Sequence, residues 1–507
     1  MDLVNVRELI GLDTSVTADS VAIAFTTIKQ LKPRAIYFPA GVYPVLESLT
    51  IPVETCAVYG DGADATLIDA SSASPSSIDH AVLYAPRGEV LDLNAKFSTP
   101  PVRHDKVLHC QMPLLVPVPG DVIILHDKRP NSYADMNLPQ QRDYHAGEFL
   151  HVVAIDVAQG LIHLSGGIQG QYTDATSLLL GLMPRSSSLT IRDLSVIGTG
   201  QVQSKEACIY IENGRDVSIQ NVKLMGAFDT LCAISHCIDC VVDNIAGDQV
   251  LFLSKINNPK DVGEQYGVGI FDSQNVTVTR STLATIRHAV TIGGNTPPWS
   301  VVNRQIRISE CCLTTLYPFD GPMGAIDAHG NSEYFAFVNN RVFGPINLSG
   351  RYGCIRGNEI FSSGLGVFGD ELMSLEHEIA DNLMHCVSIA AGEGTLLGVV
   401  EIVIRDYTNH GAGPLLFLRN RVVAASSDGT IITAFNQAIS TDFQFVVTDN
   451  DLFSDRQFGT RPSVFRVRGT SVSNVIIKRN ILRQCRAGLP GDVLDTNPDN
   501  FRDNTIL

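Results

Sequence analysis

The sequence predicts an all-β protein: a right-handed single-stranded parallel β-helix with an N-terminal capping helix and an inserted antiparallel β subdomain. Three observations predict it. A short unit recurs, made of alternating apolar residues, a polar turn usually holding Asn, and a second apolar pair, as in "LTIRDLSV", "VSIQNVKL", "FAFVNNRVF", "LFLRNRVV", "FVVTDNDLF" and "VIIKRNILR". No helical stretch of ~10–15 residues fits between the units, which excludes alternating strands and helices. Each unit is also too small to bury its own apolar face, and stacking units buries a continuous core.

The turn position falls at Asp193, Asn221, Asn244, Ser281, Cys311, Asn340, Asn358, Asn382, Asn420, Asn450, Asn480 and Asn504. Most spacings lie between 18 and 30 residues, and two are 37 and 38, which gives about a dozen coils. Asn tolerates left-handed backbone, and stacked Asn side chains form hydrogen-bonded ladders. Cys208, Cys240, Cys311 and Cys354 fall in or beside strands as small buried residues, and packing is also the preferred reading of Cys237 and Cys240 in "SHCIDC" over a metal or redox pair.

Three regions follow. Residues 1–99 form an N-terminal cap and the first coils. Thr17 or Asp19 caps a short helix with Val21, Ala22, Phe25 and Ile28 as its apolar stripe, ahead of the strand "AIYF". That helix covers strand edges that the end of a solenoid leaves open. Residues 100–185 break the repeat and predict antiparallel hairpins, in "DKVLHCQMPLLVPVPGDVIILHDK" and "GEFLHVVAIDVAQGLIHLSGG", with turns at Pro-Gly and Ala-Gln-Gly. Residues 186–507 are the main parallel β-helix.

Composition narrows the function. The chain of 507 residues is 44% hydrophobic and 18% charged, enough for a large core. A net charge of −16 argues against nucleic acid, whose phosphates need a basic face. No apolar run approaches the ~18 residues of a membrane span, and no signal peptide is visible at the start. Eleven cysteines without a close-set framework predict free thiols and folding in a cytoplasm.

Several segments resemble a known family. "AIYFPAGVYPV" after a short helix looks like the N-terminal signature of the pectate-lyase-like superfamily found in bacteriophage tailspikes. The "Y-x-x-G-E" stretch from Tyr144 to Glu148 is similar to an inserted module of the same group. "IRHAVTIGGN" and "AIDAHGN" resemble a paired "RH…D-x-H-G" pattern of β-helical polysaccharide-degrading proteins, and "DAHG" is similar to the "D-P-H" motif of alginate C5-epimerases, with Ala328 in place of Pro. The resemblance implies a homotrimeric, virion-tail enzyme that binds and cuts a bacterial surface glycan; no cofactor and no metal are expected.

The candidate site lies where these motifs stack. Aligning the Gly-Asn turns of "HAVTIGGN" and "GAIDAHGN" places Val290 and Ile292 over Ile326 and Ala328 facing inward, and Thr291 beside Asp327 facing outward. Arg287, His288, Asp320, Asp327 and His329 are the expected catalytic residues. Trp299, Tyr317, Glu333, Tyr334, Arg351 and Tyr352 are the expected sugar-binding residues, with loops carrying Trp299, Tyr317, Phe319 and Asp320 as walls. Two schemes compete. A hydrolase uses two carboxylates, Asp327 with Asp320, or with Glu310 or Glu333 instead. A uronate lyase uses Arg287 to neutralise the sugar carboxylate and His329 or His288 as base, with Asp327 orienting a histidine. Hydrolysis is preferred on the Asp320–Asp327 pair and the acidic surface. A C5-epimerase and a non-catalytic adhesin are the remaining alternatives, and Tyr144, His145 and Glu148 are the fallback site.

Overall fold

The computed structural model describes residues 2–111, 115–130, 132–133, 144–185, 188–202, 205–252, 265–294, 298–316, 324–361, 365–368, 376–387, 398–404, 414–425, 430–436, 445–454, 463–468, 475–483, 486–488 and 501–506. These residues are dominated by short parallel strands, as the repeat predicts. They fall into two compact units, one made of residues 1–264, 268–277 and 293–304, the other of 265–267, 278–292 and 305–507.

In the first unit a helix, Ala18–Leu31, caps the first coils. Thr17 is its N-cap, in a capping box with Ser20. The buried stripe is Val21, Ala24, Phe25 and Ile28. Ala24 takes the place expected for Ala22, because positions 21, 24, 25 and 28 follow the i, i+3, i+4, i+7 spacing of one helix face. Below the helix, Leu3–Asn5, Ala35–Phe38, Ala57–Gly60, Leu189–Ile197, Arg215–Met225 and Ile238–Asp248 pair in parallel, one coil on the next. A second ladder runs through Leu49–Thr50, Ala81–Pro86, Ala207–Glu212 and Thr230–Ser235.

The antiparallel subdomain interrupts this solenoid without breaking its ladder, since Ala57–Tyr59 pair with Thr190–Arg192 across the insertion. Its sheet begins at Leu91, earlier than the expected boundary at 100, and ends at Leu182. One expected hairpin is present: Gly147–Asp156 folds back on Leu161–Leu164. The other is not. Val107–Gln111 pairs with Leu161–Leu164 and Lys96–Phe97, whereas Val122–Asp127 lies between Gly147–Asp156 and Leu178–Leu182. The Pro-Gly turn at Gly120 (φ +91°) launches Val122–Asp127 toward a different neighbour, since its N–H bonds to Val152. Alternation then sorts the strand's two faces. Ile123 and Leu125 enter the subdomain core, while Val122 and Ile124 pack with Phe149, Ile238 and Val301 against the coils.

In the second unit three parallel ladders repeat. One runs Thr282–Thr285, Cys312–Thr315, Arg341–Phe343, Glu359–Phe361, Leu383–Val387, Arg421–Ala425, Asp451–Ser454, Ile481–Arg483 and Thr505–Ile506. Another pairs residues 307–309 with Ala336–Val338, then runs through Cys354–Arg356 and on to Phe501–Arg502. The third, which holds the candidate site, stacks Val290–Ile292, Ile326–Ala328, Ile346–Leu348, Leu365–Phe368 and Gly398–Ile404, then the strands after them.

The turn residues form a continuous ladder in this unit. Each Asn donates from Nδ2 to the Oδ1 of the next, from Asn340 through Asn358, Asn382, Asn420, Asn450 and Asn480 to Asn504. The left-handed residue is not the ladder Asn but the one before it: Asn339, Gly357, Asp381, Arg419, Asp449, Arg479 and Asp503 all have φ between 53° and 67°. That turns the Asn side chain inward, where its Nδ2 also bonds a backbone carbonyl of the coil before. Asp193, Asn221 and Asn244 of the first unit differ. They are left-handed themselves, and their side-chain ladder is exposed. There the buried rungs are Cys237, Ser273 and Asn303: Ser273 Oγ accepts the Cys237 N–H, and Asn303 Oδ1 accepts the Ser273 N–H. Cys237 Sγ accepts the Gly214 N–H, so the first cysteine of "SHCIDC" is a ladder residue. The cysteines among the described residues are free thiols.

Candidate functional site

Asp327 lies at the middle of Ile326–Ala328, between two inward residues, Ile326 and Ala328, that are fully buried. The register is the expected one: Thr291, Asp327 and Asn347 stand side by side on three successive coils. Their shared face is not open, however. Thr291 and Asn347 are buried, and the Asp327 side chain is 14% exposed.

Two imidazoles converge on one carboxylate oxygen. His329 Nε2 is 3.0 Å and His288 Nε2 3.4 Å from Asp327 Oδ2. His288 is buried and donates from Nδ1 to the Gly324 carbonyl oxygen at 2.5 Å, so Nε2 is the unprotonated nitrogen of its neutral ring. His329, with 11% of its side chain exposed, donates from Nε2 to Asp327. Its position is fixed by the backbone, where its N–H bonds to the Ile292 carbonyl. Tyr266, which sequence reasoning missed, packs its ring 5.4 Å from His288 and lies 5.8 Å below the Arg287 guanidinium. Only its Gly-flanked strand, "YGVGIF", hinted at a close approach.

Electrostatics separates these groups. Burial favours a neutral carboxyl at Asp327, but His288, His329 and the Arg287 guanidinium outweigh it and hold Asp327 well below the usual carboxylate range. Burial dominates at His288 and lowers its pKa to about 4, although Asp327 pulls the other way. At neutral pH the cluster is therefore an ionised Asp327, a neutral buried His288, and a His329 whose ring orientation Asp327 sets. Buried polar atoms without a hydrogen-bond partner gather here too, at Thr291 Oγ1, Ser332 Oγ and His288 Nε2.

The other expected residues divide. Tyr334 and Tyr352 occupy equivalent left-handed turns of consecutive coils, with rings stacked 4.6 Å apart and 11° from parallel. Glu333 and Arg351 are bridged neighbours in the same two coils. Glu310 sits exposed in a left-handed turn. Asp320, Tyr317 and Phe319 lie outside the described residues. Trp299 requires a correction: its ring packs edge-on to His126 and against the Gly181 backbone, alongside Val122, Ile124 and Phe149. It fills the seam between subdomain and coils rather than walling a groove.

The three fallback residues, Tyr144, His145 and Glu148, are all buried. Glu148 is buried and accepts the N–H groups of Gln169 and Gly170 and the Tyr172 hydroxyl, each at 2.9 Å. Gly147 must be glycine, because a Cβ there would come within 2.2 Å of the Ser300 carbonyl oxygen. The "Y-x-x-G-E" stretch thus helps to pin the subdomain through the three hydrogen bonds of its carboxylate. Among the described residues no group of three or more His, Cys, Asp or Glu side chains could hold a metal ion, and no helix is long and apolar enough to cross a membrane.

Residues 225–451, which contain this cluster, match the family model described as Gp49, pectin lyase-like. The fold is a parallel β-helix like that of the phage tailspikes it superposes on. The tailspike gp61 of Pseudomonas phage phi297 superposes with a TM-score of 0.70 over 95% of this chain and 80% of its own, at 16% identity. The tailspike gp49 of Pseudomonas phage LKA1 gives 0.66 over 93% and 74%, at 17% identity. The tailspike gp54 of Acinetobacter baumannii bacteriophage AP22, solved in complex with A. baumannii capsular saccharide, gives 0.60 over 95% and 77%, at 13% identity. No curated protein matches the sequence. The tailspike fold thus spans nearly the whole chain at identities that speak for architecture alone.

Proposed function

We propose that this protein is a tailspike-type depolymerase of a virion tail that binds and cleaves a bacterial surface polysaccharide, with the Asp327–His329 pair as its proton-transfer centre. The observation that carries this reading is the 3.0 Å contact between His329 Nε2 and the ionised Asp327, on the outward face of a pectin lyase-like coil.

The chemistry that fits is elimination at a uronate. His329 removes the proton from C5 while Arg287, on the adjacent coil, neutralises the sugar carboxylate and so acidifies that proton. The electron pair forms the C4–C5 double bond and expels the glycosidic oxygen, which takes up the proton His329 has gathered. Asp327 holds the ring and stabilises the imidazolium as it forms. Hydrolysis fits less well, because a hydrolase needs one carboxyl protonated at working pH to serve as acid. Asp327 is held ionised and so suits only the base or nucleophile role, and Asp320, the carboxyl expected to serve as acid, lies outside the described residues. The stacked Tyr334 and Tyr352 offer an aromatic platform beside Glu333 and Arg351 for further sugar units.

The experiment is a zone-clearing screen on diverse encapsulated bacteria, followed by mass spectrometry of the released oligosaccharide. A homotrimer belongs to the same proposal, supported by the tailspike fold. Light scattering at micromolar concentration should return three times the chain mass, and a monomer mass would remove the trimer from the proposal.

A further inference from the structure

The first unit carries an outward feature that the proposed chemistry does not use. Ala81–Pro86, Ala207–Glu212 and Thr230–Ser235 pair so that Tyr84, Tyr210 and Ala233 form one column, with Pro86, Glu212 and Ser235 beside it. Leu83, Ile209 and Cys232 next to them face the core and are fully buried, so by alternation the tyrosine column faces outward. Its rings stack 5.7 Å apart at 14°. His80, held in a left-handed turn and 51% exposed, leans over both rings at 4.8 and 5.8 Å. The two tyrosines and Phe271 lie over a floor of small residues, Ala81, Ala207 and Ala233. The Phe271 ring also occupies the space that a side chain at position 269 would need. At the rim the Tyr84 hydroxyl donates to Glu212 Oε2 at 2.9 Å.

We propose that this platform of His80, Tyr84, Tyr210 and Phe271, edged by Glu212, is a second, non-catalytic saccharide-binding site. Outward positions of a strand are ordinarily polar, and a cluster of half-buried rings there marks a binding surface. The chemistry selects the ligand. A pyranose has apolar C–H faces that lie on aromatic rings and a rim of hydroxyls that need partners, and the phenols, imidazole and carboxylate here supply both. A protein partner fits poorly. Four aromatic side chains present at most ~1,000 Å² even when fully exposed. These are partly covered, and a stable chain–chain interface buries ~1,600 Å². The site rests on the reading that glycan is this protein's ligand and adds a contact that retains the polymer without reacting with it.

The test uses the full chain carrying Asp327→Asn, so that polymer is not digested, and purified capsular and lipopolysaccharide glycans immobilised for surface plasmon resonance. Tyr84→Ala with Tyr210→Ala in that background should weaken binding at least tenfold. His80→Ala with Tyr84→Phe, which keeps the ring stack and so the fold, should weaken it several-fold. If the parent binds a glycan and both variants bind it equally well, the second site is wrong while the depolymerase reading stands. If the parent binds none of the glycans, both readings fall.

Discussion

Replacing Asp327 by Asn is expected to cut turnover at least ~10²-fold, the usual scale for disabling a general base, with folding and glycan binding retained. The charge is what matters. An ionised Asp327 accepts the His329 Nε2–H and stabilises the imidazolium that forms when the ring takes a proton. Asn has nearly the same shape but no charge, and its amide can turn a donor toward either imidazole. His329→Ala should lose as much, because the proton acceptor itself is gone. Neither change should cost much stability. Asp327 lies on the outward face, Ile326 and Ala328 keep the coil's inward packing, and His329 is held through its main chain. Initial rates on the polysaccharide, with melting temperature and glycan affinity of the same preparations, check this. Wild-type rates in both variants would make the pair a structural salt link.

Replacing Asn420 by Leu should have the largest effect on stability. Asn420 is buried, and three rungs depend on it. Its Nδ2 donates to the Ile379 carbonyl and to Asn450 Oδ1, and its Oδ1 accepts both the main-chain N–H and the Nδ2 of Asn382. Leucine removes these four bonds: the Asn382 main-chain N–H and the Ile379 carbonyl lose their side-chain partner, while Asn382 Nδ2 and Asn450 Oδ1 each keep one bond, to the Ile355 carbonyl and to the main-chain N–H of residue 420, at ~1–3 kcal/mol for each buried polar group left unsatisfied. Several kcal/mol is a large share of the marginal stability of any fold. The unfolding rate in guanidinium should rise by orders of magnitude. Arg419→Ala, one residue earlier in an exposed turn, should change it little, because its ion pair with Asp381 is solvent-screened. Equal effects from the two changes would mean that the ladder contributes nothing beyond the turn.

The coils were legible because period-2 alternation and a recurring Asn survive in almost every repeat, and two neighbouring strands of one ladder could be registered from their Gly-Asn turns alone. The left-handed residue was not legible, since Arg419 and Arg479 hold that conformation as well as Gly357 does: the inward pull of the Asn ladder, not local propensity, fixes the backbone there. Strand pairing in the antiparallel subdomain was misread at one hairpin because a Pro-Gly turn says where a strand begins but not which neighbour it meets. Trp299 and Glu148 are the plainest lessons about the site. An aromatic on a long connection and a carboxylate in a stretch resembling a family module both suggested sugar chemistry, yet one fills a seam and the other collects three hydrogen bonds. Asp327, His329 and His288 were found because their spacing on one strand and the strand before it was enough to bring them together. Tyr266 was missed because it reaches the cluster from a coil that the turn alignment did not include.

Elimination at the Asp327–His329 pair leaves a product that no hydrolase makes, an unsaturated uronate. The most direct measurement is the ultraviolet absorbance of the products released from a purified polysaccharide of a strain the protein clears, followed over time for the native chain and for His329→Ala. Elimination predicts a steady rise in absorbance from an unsaturated uronate in the native reaction and a flat trace in the variant. Saturated reducing ends released without any rise, or an equal rise in both proteins, would contradict it.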